Sequence, residues 1–470
     1  MIDDDQQAKD AEQLRKLGYA QELLRGMGGF SNFALSFSII SILTGAVTLY
    51  GHGLKYGGPL VMLLGWPLVC VMTLFVAASI AQLASSFPTA GALYHWSAML
   101  GGPGLGFFTA WFNLLGQVAI TAGVNYGLAE LLNALFGWPP DRAHVLGIYA
   151  VLLVVQALLN HLGVKVVAVL NDFSAWYHIG GVVVLVGAVL LFAKRQPASF
   201  LLSKFNGSDH AYVYAFLVGL LQAQWTFTGF DASAHVTEET RDPARNAPWG
   251  VFLSVVVSGV VGFVMLVVVT LAISDLPAAV AAQNSFLAVL EQGLGHKGVI
   301  LGAIVAAAMW FCGVSSVTSN SRMMYAFARD DGMPLSRYLK QVSPRFKSPH
   351  VAVWVSAALA FVVAVWAQAY SAMVALSTIA LYASYAVPIA VGLSARSSGK
   401  WQRRGPWDLG GYSAVVNAVA ILWIAVITVL FVLPPNELAG YTFGGAFVAL
   451  CVYWFAYMRK RFVGPRVTAG

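Results

Sequence analysis

Twelve apolar runs recur along this 470-residue chain with only short polar or Gly/Pro punctuation between them. Each is long enough to cross a hydrocarbon core that takes about 20 helical residues to span. They fall at 30–53, 58–84, 104–135, 145–163, 173–193, 212–235, 248–273, 298–328, 351–369, 371–395, 413–433 and 441–458. Backbone in lipid must satisfy its own hydrogen bonds, so runs of this kind imply helices. The chain therefore reads as an all-α integral membrane protein with 12 transmembrane helices. Composition agrees, with 59% of residues hydrophobic and only 10% charged, far from the balance of a soluble chain.

Lysine and arginine set the expected orientation, because positive loops stay on the cytoplasmic side. With both termini inside, 21 of the 27 basic residues lie in cytoplasmic segments. The same asymmetry accounts for the net charge of +7 without a nucleic-acid partner. Residues 1–29 lack the basic start, apolar centre and cleavage site of a signal peptide. They read as a cytoplasmic arm, with Leu14, Leu17, Leu23 and Leu24 resting on the membrane surface. Residues 459–470 read as a cytoplasmic tail.

Cys70, Cys312 and Cys451 lie far apart in or beside apolar runs and read as small hydrophobes. No phosphate-binding loop, zinc helix or nucleophile elbow occurs. The sequence thus offers no catalytic site, resident metal or cofactor, and no domain to power an ATP-driven pump.

Two runs contain interruptions. In the first, Thr44 and Gly45 break a stretch of β-branched and aromatic residues, with Ser36, Ser38 and Ser41 upstream. Close helix packing is one reason for such a glycine. In the sixth, Thr226, Thr228 and Gly229 interrupt the run, and Asp231 follows. An aspartate at a helix centre costs roughly 2.5–3.5 kcal/mol on insertion scales, so Asp231 should face protein or a wet cavity, as a structural cap or as a ligand contact. Runs one and six are the first members of two sets of five if the chain divides as five, five and two. That is the order of an inverted-repeat transporter, in which two discontinuous helices meet at the midplane.

Four stretches then carry a resemblance: SFSIISILTGAVTLYGHGLKYGGP (36–59), AQLASSFPTAGALYHW (81–96), TFTGFDASAHVTEETRDPARNAP (226–248) and NSRMMYAFARDDGMP (320–334). In order and combination they resemble the amino acid-polyamine-organocation superfamily, and its amino acid/choline transporter branch in particular. The resemblance implies a LeuT-like 5+5 inverted repeat (30–193 and 212–395), discontinuous helices 1 and 6, and two further helices within 396–458. It implies a carboxylate held on amides around Leu43, Thr44 and Gly45, and an amine near carbonyls of Ser41, Trp225 and Thr228. Trp225, Phe227 and Phe230 match aromatic positions at the sixth-helix break, where a ring closes over substrate or a cationic head. In AQLASSFPTAGALYHW the family more often has glutamate, glycine and tyrosine where Gln82, Ala92 and His95 stand. His52, His95, His161 and His235 carry no assigned role.

His178 stands at the edge of the fifth run, where related transporters of cationic amino acids have a lysine. A histidine there can take up and release a proton near physiological pH; the alternative is a hydrogen-bonded interfacial histidine. Ser315 and Ser316 in the eighth run offer oxygens to sodium, or satisfy backbone within their own helix. Glu238 and Glu239, with Arg241 and the Arg322/Arg329 side nearby, suggest ion pairs that close an inward gate. A solvated loop charge is the alternative, expected to hold for one of the two glutamates.

The expected function is secondary active transport of an amino acid or related amine, such as GABA, across the plasma membrane (the inner membrane of a bacterial cell), driven by a proton gradient with sodium left open. The expected partners are a small-molecule substrate and the lipid bilayer, with the protein a monomer or loose homo-oligomer. Choline, ethanolamine or polyamine transport, or a non-transporting nutrient sensor on the same fold, are the alternatives.

Overall fold

The computed structural model describes residues 2–139, 141–295, 297–366 and 370–465. The last three residues of the ninth run, 367–369, and residues 466–470 of the tail lie outside the described residues. Regular structure among those described is helical, apart from an isolated parallel bridge between Met27 and Thr240.

Ten helices are long and apolar enough to cross a membrane among the described residues. Two runs are not among them. The ninth forms the 17-residue helix His350–Trp366. The sixth is divided into Tyr212–Gly219, Leu221–Thr226 and Ala232–His235, so no single piece has spanning length. Short helices that periodicity did not announce fill the connections, among them Leu93–Gly101 and Ser285–Leu294.

The helix Pro103–Leu135 packs along Tyr370–Ser397 and Gly302–Arg329, while Pro243–Leu271 packs on Trp66–Ser86 and Gly29–Ile40. The interrupted first run lies at the centre: 89% of its most apolar window is buried, against 11% for Glu437–Ala456 at the periphery. Outward-facing Val169, Phe173 and Trp176 give the fifth helix an apolar exposed face, as expected of a surface that meets lipid.

Two expectations about position change. The arm does not lay its leucines on a membrane surface: Leu14, Leu17 and Leu23 are buried within the protein core, and only Leu24 is exposed. The arm is also stitched to the end of the sixth run, where Met27 N–H donates to Glu239 O at 2.9 Å and Arg241 N–H donates to Met27 O at 3.0 Å. Second, the fifth helix runs from Val164 to Phe192, beginning well before the apolar run. His178 therefore sits at mid-helix, fully buried, and not at an edge.

Candidate functional site

The first run breaks where Ser41, with φ 34°, ends the helix Gly29–Ile40 in a left-handed conformation. The chain turns through residues 41–44 and resumes as Gly45–Thr48 and Tyr50–Gly57. The sixth run breaks after Thr226; Gly229 takes φ +79° before Ala232–His235 begins. A left-handed φ costs glycine nothing and strains any other residue.

The two breaks lie against each other through their glycines. A Cβ on Gly45 would stand 2.8 Å from Thr226 Cα, and one on Gly229 would stand 2.3 Å from Ile39 Cγ2. Each run contributes the bare backbone that the other requires. Hydroxyls and amides lock the contact: Ser36 Oγ donates to Phe230 O at 2.8 Å, Ser233 N–H donates to Ser36 Oγ at 2.9 Å, and Asn32 Nδ2 donates to Ser233 O at 2.9 Å.

Breaking a helix leaves polar backbone unsatisfied, and in lipid that is tolerated only around a protein-lined site. Among the described residues, the amides of Ile42, Leu43, Thr228 and Phe230 have no backbone acceptor. The Thr44 and Gly45 amides, expected to face a carboxylate, instead donate to Ser41 O at 2.7 and 2.9 Å. The Trp225 carbonyl accepts from Thr228 Oγ1 at 2.6 Å, and Thr226 Oγ1 bonds Gln222 O at 2.8 Å. Available donors are thus concentrated at Ile42–Leu43 and at the start of the resumed sixth helix.

The aromatic residues part ways. Phe227 turns onto Trp66 with ring centroids 4.8 Å apart. Phe230 packs on Tyr385 at 5.0 Å, and Trp225 meets Tyr370 edge-on at 6.2 Å while its Nε1 donates to Ser377 Oγ at 3.1 Å.

Asp231 is fully buried and has four side-chain partners: Tyr385 Oη at 2.7 Å, His235 Nε2 at 3.0 Å, Asn113 Nδ2 at 3.1 Å and Gln117 Nε2 at 3.5 Å. A buried carboxylate needs such donors. None of the four has a role assigned from the sequence, His235 included. One signal was there to be read: Asn113, Gln117, Thr121 and Asn125 recur every four residues and form a polar stripe on one face of an apolar helix. Tyr382 and Tyr385, which hold Phe227 O at 2.5 Å and Asp231 respectively, carried no comparable pattern.

His178 reaches the first break directly. Its Nε2 lies 2.7 Å from Ser41 Oγ, which is 2.5 Å from Thr44 Oγ1, and its Nδ1 lies 2.8 Å from Ser174 O. Because a carbonyl only accepts, Nδ1 carries a proton and neutral Nε2 is an acceptor. Ser315 Oγ donates to Asn171 Oδ1 at 2.6 Å and is 2.9 Å from Phe311 O; Ser316 Oγ donates to Cys312 O at 2.8 Å. Both eighth-run hydroxyls thus engage carbonyls within their own helix.

At the far end of the sixth run both glutamates are fully buried, against the expectation that one is a solvated charge. Their partners come from the helix Gly302–Arg329, the Arg322/Arg329 side that chain topology suggests. Glu238 forms a two-pronged pair with Arg329, both contacts at 2.8 Å, and Glu239 pairs with Arg322 at 2.9 and 3.1 Å. Burial pushes the Glu238 carboxyl up, but the Arg329 charge and hydrogen bonds, with the Ala90 amide, hold it below the ordinary carboxylate range.

Around this pair, His95 Nε2 lies 3.1 Å from Asp330 Oδ2, which also accepts from Tyr19 and Tyr94 at 2.8 Å each, and Arg329 covers the Tyr19 ring at 4.0 Å. Burial lowers the His95 pKa from its ordinary value despite Asp330. The unusual Gln82 likewise has partners, donating to Asp408 Oδ1 at 2.8 Å and accepting from Ser413 Oγ at 2.9 Å.

On the opposite side of the breaks a cleft of about 320 Å³ opens between the resumed first run, Pro103–Leu135 and the loop before Ser285–Leu294, with Tyr370 and Thr48 at its inner end.

Residues 28–457 match the amino acid permease family model. The chain is 39% identical to the amino-acid permease BAT1 of Arabidopsis thaliana, over 96% of this chain and 95% of that protein. It is 39% identical to the BAT1 homolog of Oryza sativa subsp. japonica, over 96% and 94% respectively. Amino-acid permease 2 of Neurospora crassa is 28% identical over 96% of this chain and 88% of its own length.

Proposed function

The chain belongs to the amino acid permease family, and from that membership we propose that it imports an amino acid or a related amine such as GABA across the plasma membrane by proton-coupled alternating access. Membership itself makes it a multi-pass membrane transporter and not an enzyme. The finer reading takes the twelve runs as a LeuT-like fold, with repeats 30–193 and 212–395 and two further helices within 396–458. Both termini and the Glu238/Glu239 gate lie on the cytoplasmic side in this reading.

One observation carries it: the breaks in the first and sixth runs touch backbone to backbone and leave the Ile42, Leu43, Thr228 and Phe230 amides without backbone acceptors. Such amides, at the start of resumed helices, suit an anionic group. Access differs on the two sides, with buried ion pairs closing one end and the cleft opening the other.

Coupling is assigned to His178. When neutral, its Nε2 accepts from the Ser41 hydroxyl. When protonated, Nε2–H donates to Ser41 Oγ, and the Ser41 proton is released to point at Thr44 or at a substrate carboxylate. Proton loading thereby adds a donor at the first break.

Uptake of a radiolabelled amino acid and amine panel into proteoliposomes, with proton and sodium gradients imposed separately, tests the reading. Accumulation under a proton gradient alone is expected. Accumulation that requires sodium would overturn the coupling, and uptake of no panel member would overturn the transport assignment.

A further inference from the structure

The outer cleft has chemistry of its own. Lys55 projects from the resumed first run, fifteen-odd ångströms along the helix beyond Gly45 at about 1.5 Å per residue, and Glu130 lines the cleft from Pro103–Leu135. Both side chains are exposed, and neither has an ion-pair partner among the described residues. A cation and an anion thus line the same cavity without neutralising each other. His52 does not compete with Lys55 for the carboxylate, since its ring lies against Tyr56 and its Nε2 faces Val218 O at 3.1 Å. Asn284 is occupied in capping Ser285–Leu294. The volume of about 320 Å³ lies at the lower end of the roughly 300–1,000 Å³ typical of small-molecule sites. At its inner end Tyr370 meets Trp225 of the sixth break, so the cleft stops where the central site begins.

We infer that this cleft is a staging site that captures zwitterions, Lys55 taking the carboxylate and Glu130 the ammonium of an amino acid before it passes Tyr370 to the breaks. The inference rests on the transport reading above. A molecule with both charges satisfies both walls, whereas one with a single charge leaves the other wall unpaired and meets a like charge. The cleft therefore selects for zwitterions by charge before the central site selects by shape. Exposed charge contacts of this kind weaken with salt.

The experiment uses the full chain in proteoliposomes, with labelled alanine and GABA as zwitterions and glutamate, lysine and choline as competitors. Exposed charge contacts are modest in strength, so Lys55→Gln and Glu130→Gln should each raise KM roughly two- to fivefold. Glu130→Gln should make glutamate a better competitor, and Lys55→Gln should do the same for lysine. Lys55→Arg and Glu130→Asp should restore the wild-type pattern, which separates charge from misfolding. Wild-type KM and an unchanged competitor order in both neutral variants, with transport intact, would overturn the staging site alone. A wild type that transports neither zwitterion and no other panel member would instead overturn the reading beneath it.

Discussion

Gly45 and Thr226 meet with no room for a methyl group: a Cβ added to the glycine would lie 2.5 Å from Thr226 Oγ1 and 2.8 Å from Thr226 Cα. The neighbouring atoms are hydroxyl and backbone, not the far end of a flexible chain, so they cannot yield without moving the sixth break. Overpacking of this kind destabilises by about 1–3 kcal/mol. Gly45→Ala should lower the thermal midpoint and abolish uptake. Gly147→Ala, at a helical site with nothing within 4 Å, should leave both close to wild type. Equal behaviour of the two variants, measured by thermal unfolding and flux, would argue against direct contact between the breaks.

The Glu239–Arg322 pair has both side chains fully buried. Removing one partner strands the other charge away from water, at a cost of about 3–5 kcal/mol. Glu239→Leu and Arg322→Met should each unfold at markedly lower temperature. The double variant Glu239→Leu/Arg322→Met should recover much of the loss, because no charge is left unpaired, yet it should transport poorly if the pair must close and reopen. Additive losses in the double-mutant cycle would rule out the pairing.

Acid should loosen the same end of the molecule. Glu238 has a depressed folded pKa, so its contribution is present above the ordinary carboxylate range and is lost as pH falls through the folded value. His95 is a base with a lowered folded pKa. It contributes stability above its ordinary value of 6.5, and that stability declines as pH falls from there towards the folded value. Both groups act in the same direction. Thermal midpoints measured against pH should fall on acidification, beginning below about 6.5. His95→Gln should flatten the upper part of that decline and Glu238→Gln the lower part. An unaltered profile in both variants would remove these groups as its cause.

His178→Gln should abolish uptake driven by a pH gradient while sparing equilibrium substrate binding, because Ser41 then has an amide neighbour that cannot titrate. Binding is followed by scintillation proximity and flux by an imposed proton gradient. Proton dependence that survives the substitution would move coupling to another group. The buried Asp231–His235 pair, at 3.0 Å, is the next to test.

Much of the frame was legible in the chain itself. The long apolar runs appear as helices at close to their expected positions, since hydropathy and length act locally. Gly45 and Gly229 marked the breaks because a backbone position that excludes a side chain leaves its signature in one residue. The stripe from Asn113 to Asn125 is equally local, four polar side chains at a spacing of four on one helix face. By contrast, the arm leucines could not be placed, because an amphipathic segment looks alike whether it covers lipid or protein. His178 reads as near-terminal in the sequence because polar Asn171 and Asp172 end the apolar run, whereas the helix continues back to Val164.

What the sequence determined by itself is the membrane, the helices and the two interruptions, all set by burial preference and backbone chemistry within short stretches. What only the tertiary structure decided is the pairing of groups far apart in the chain: Gly45 with Thr226, His178 with Ser41, Asp231 with Tyr385, and which of Arg322 and Arg329 each gate glutamate takes. These partners are separated by up to 181 positions, and each meets the other because packing of whole helices brings them within reach. Nothing in the local chemistry of an aspartate or a histidine names the partner that will satisfy it once water is gone.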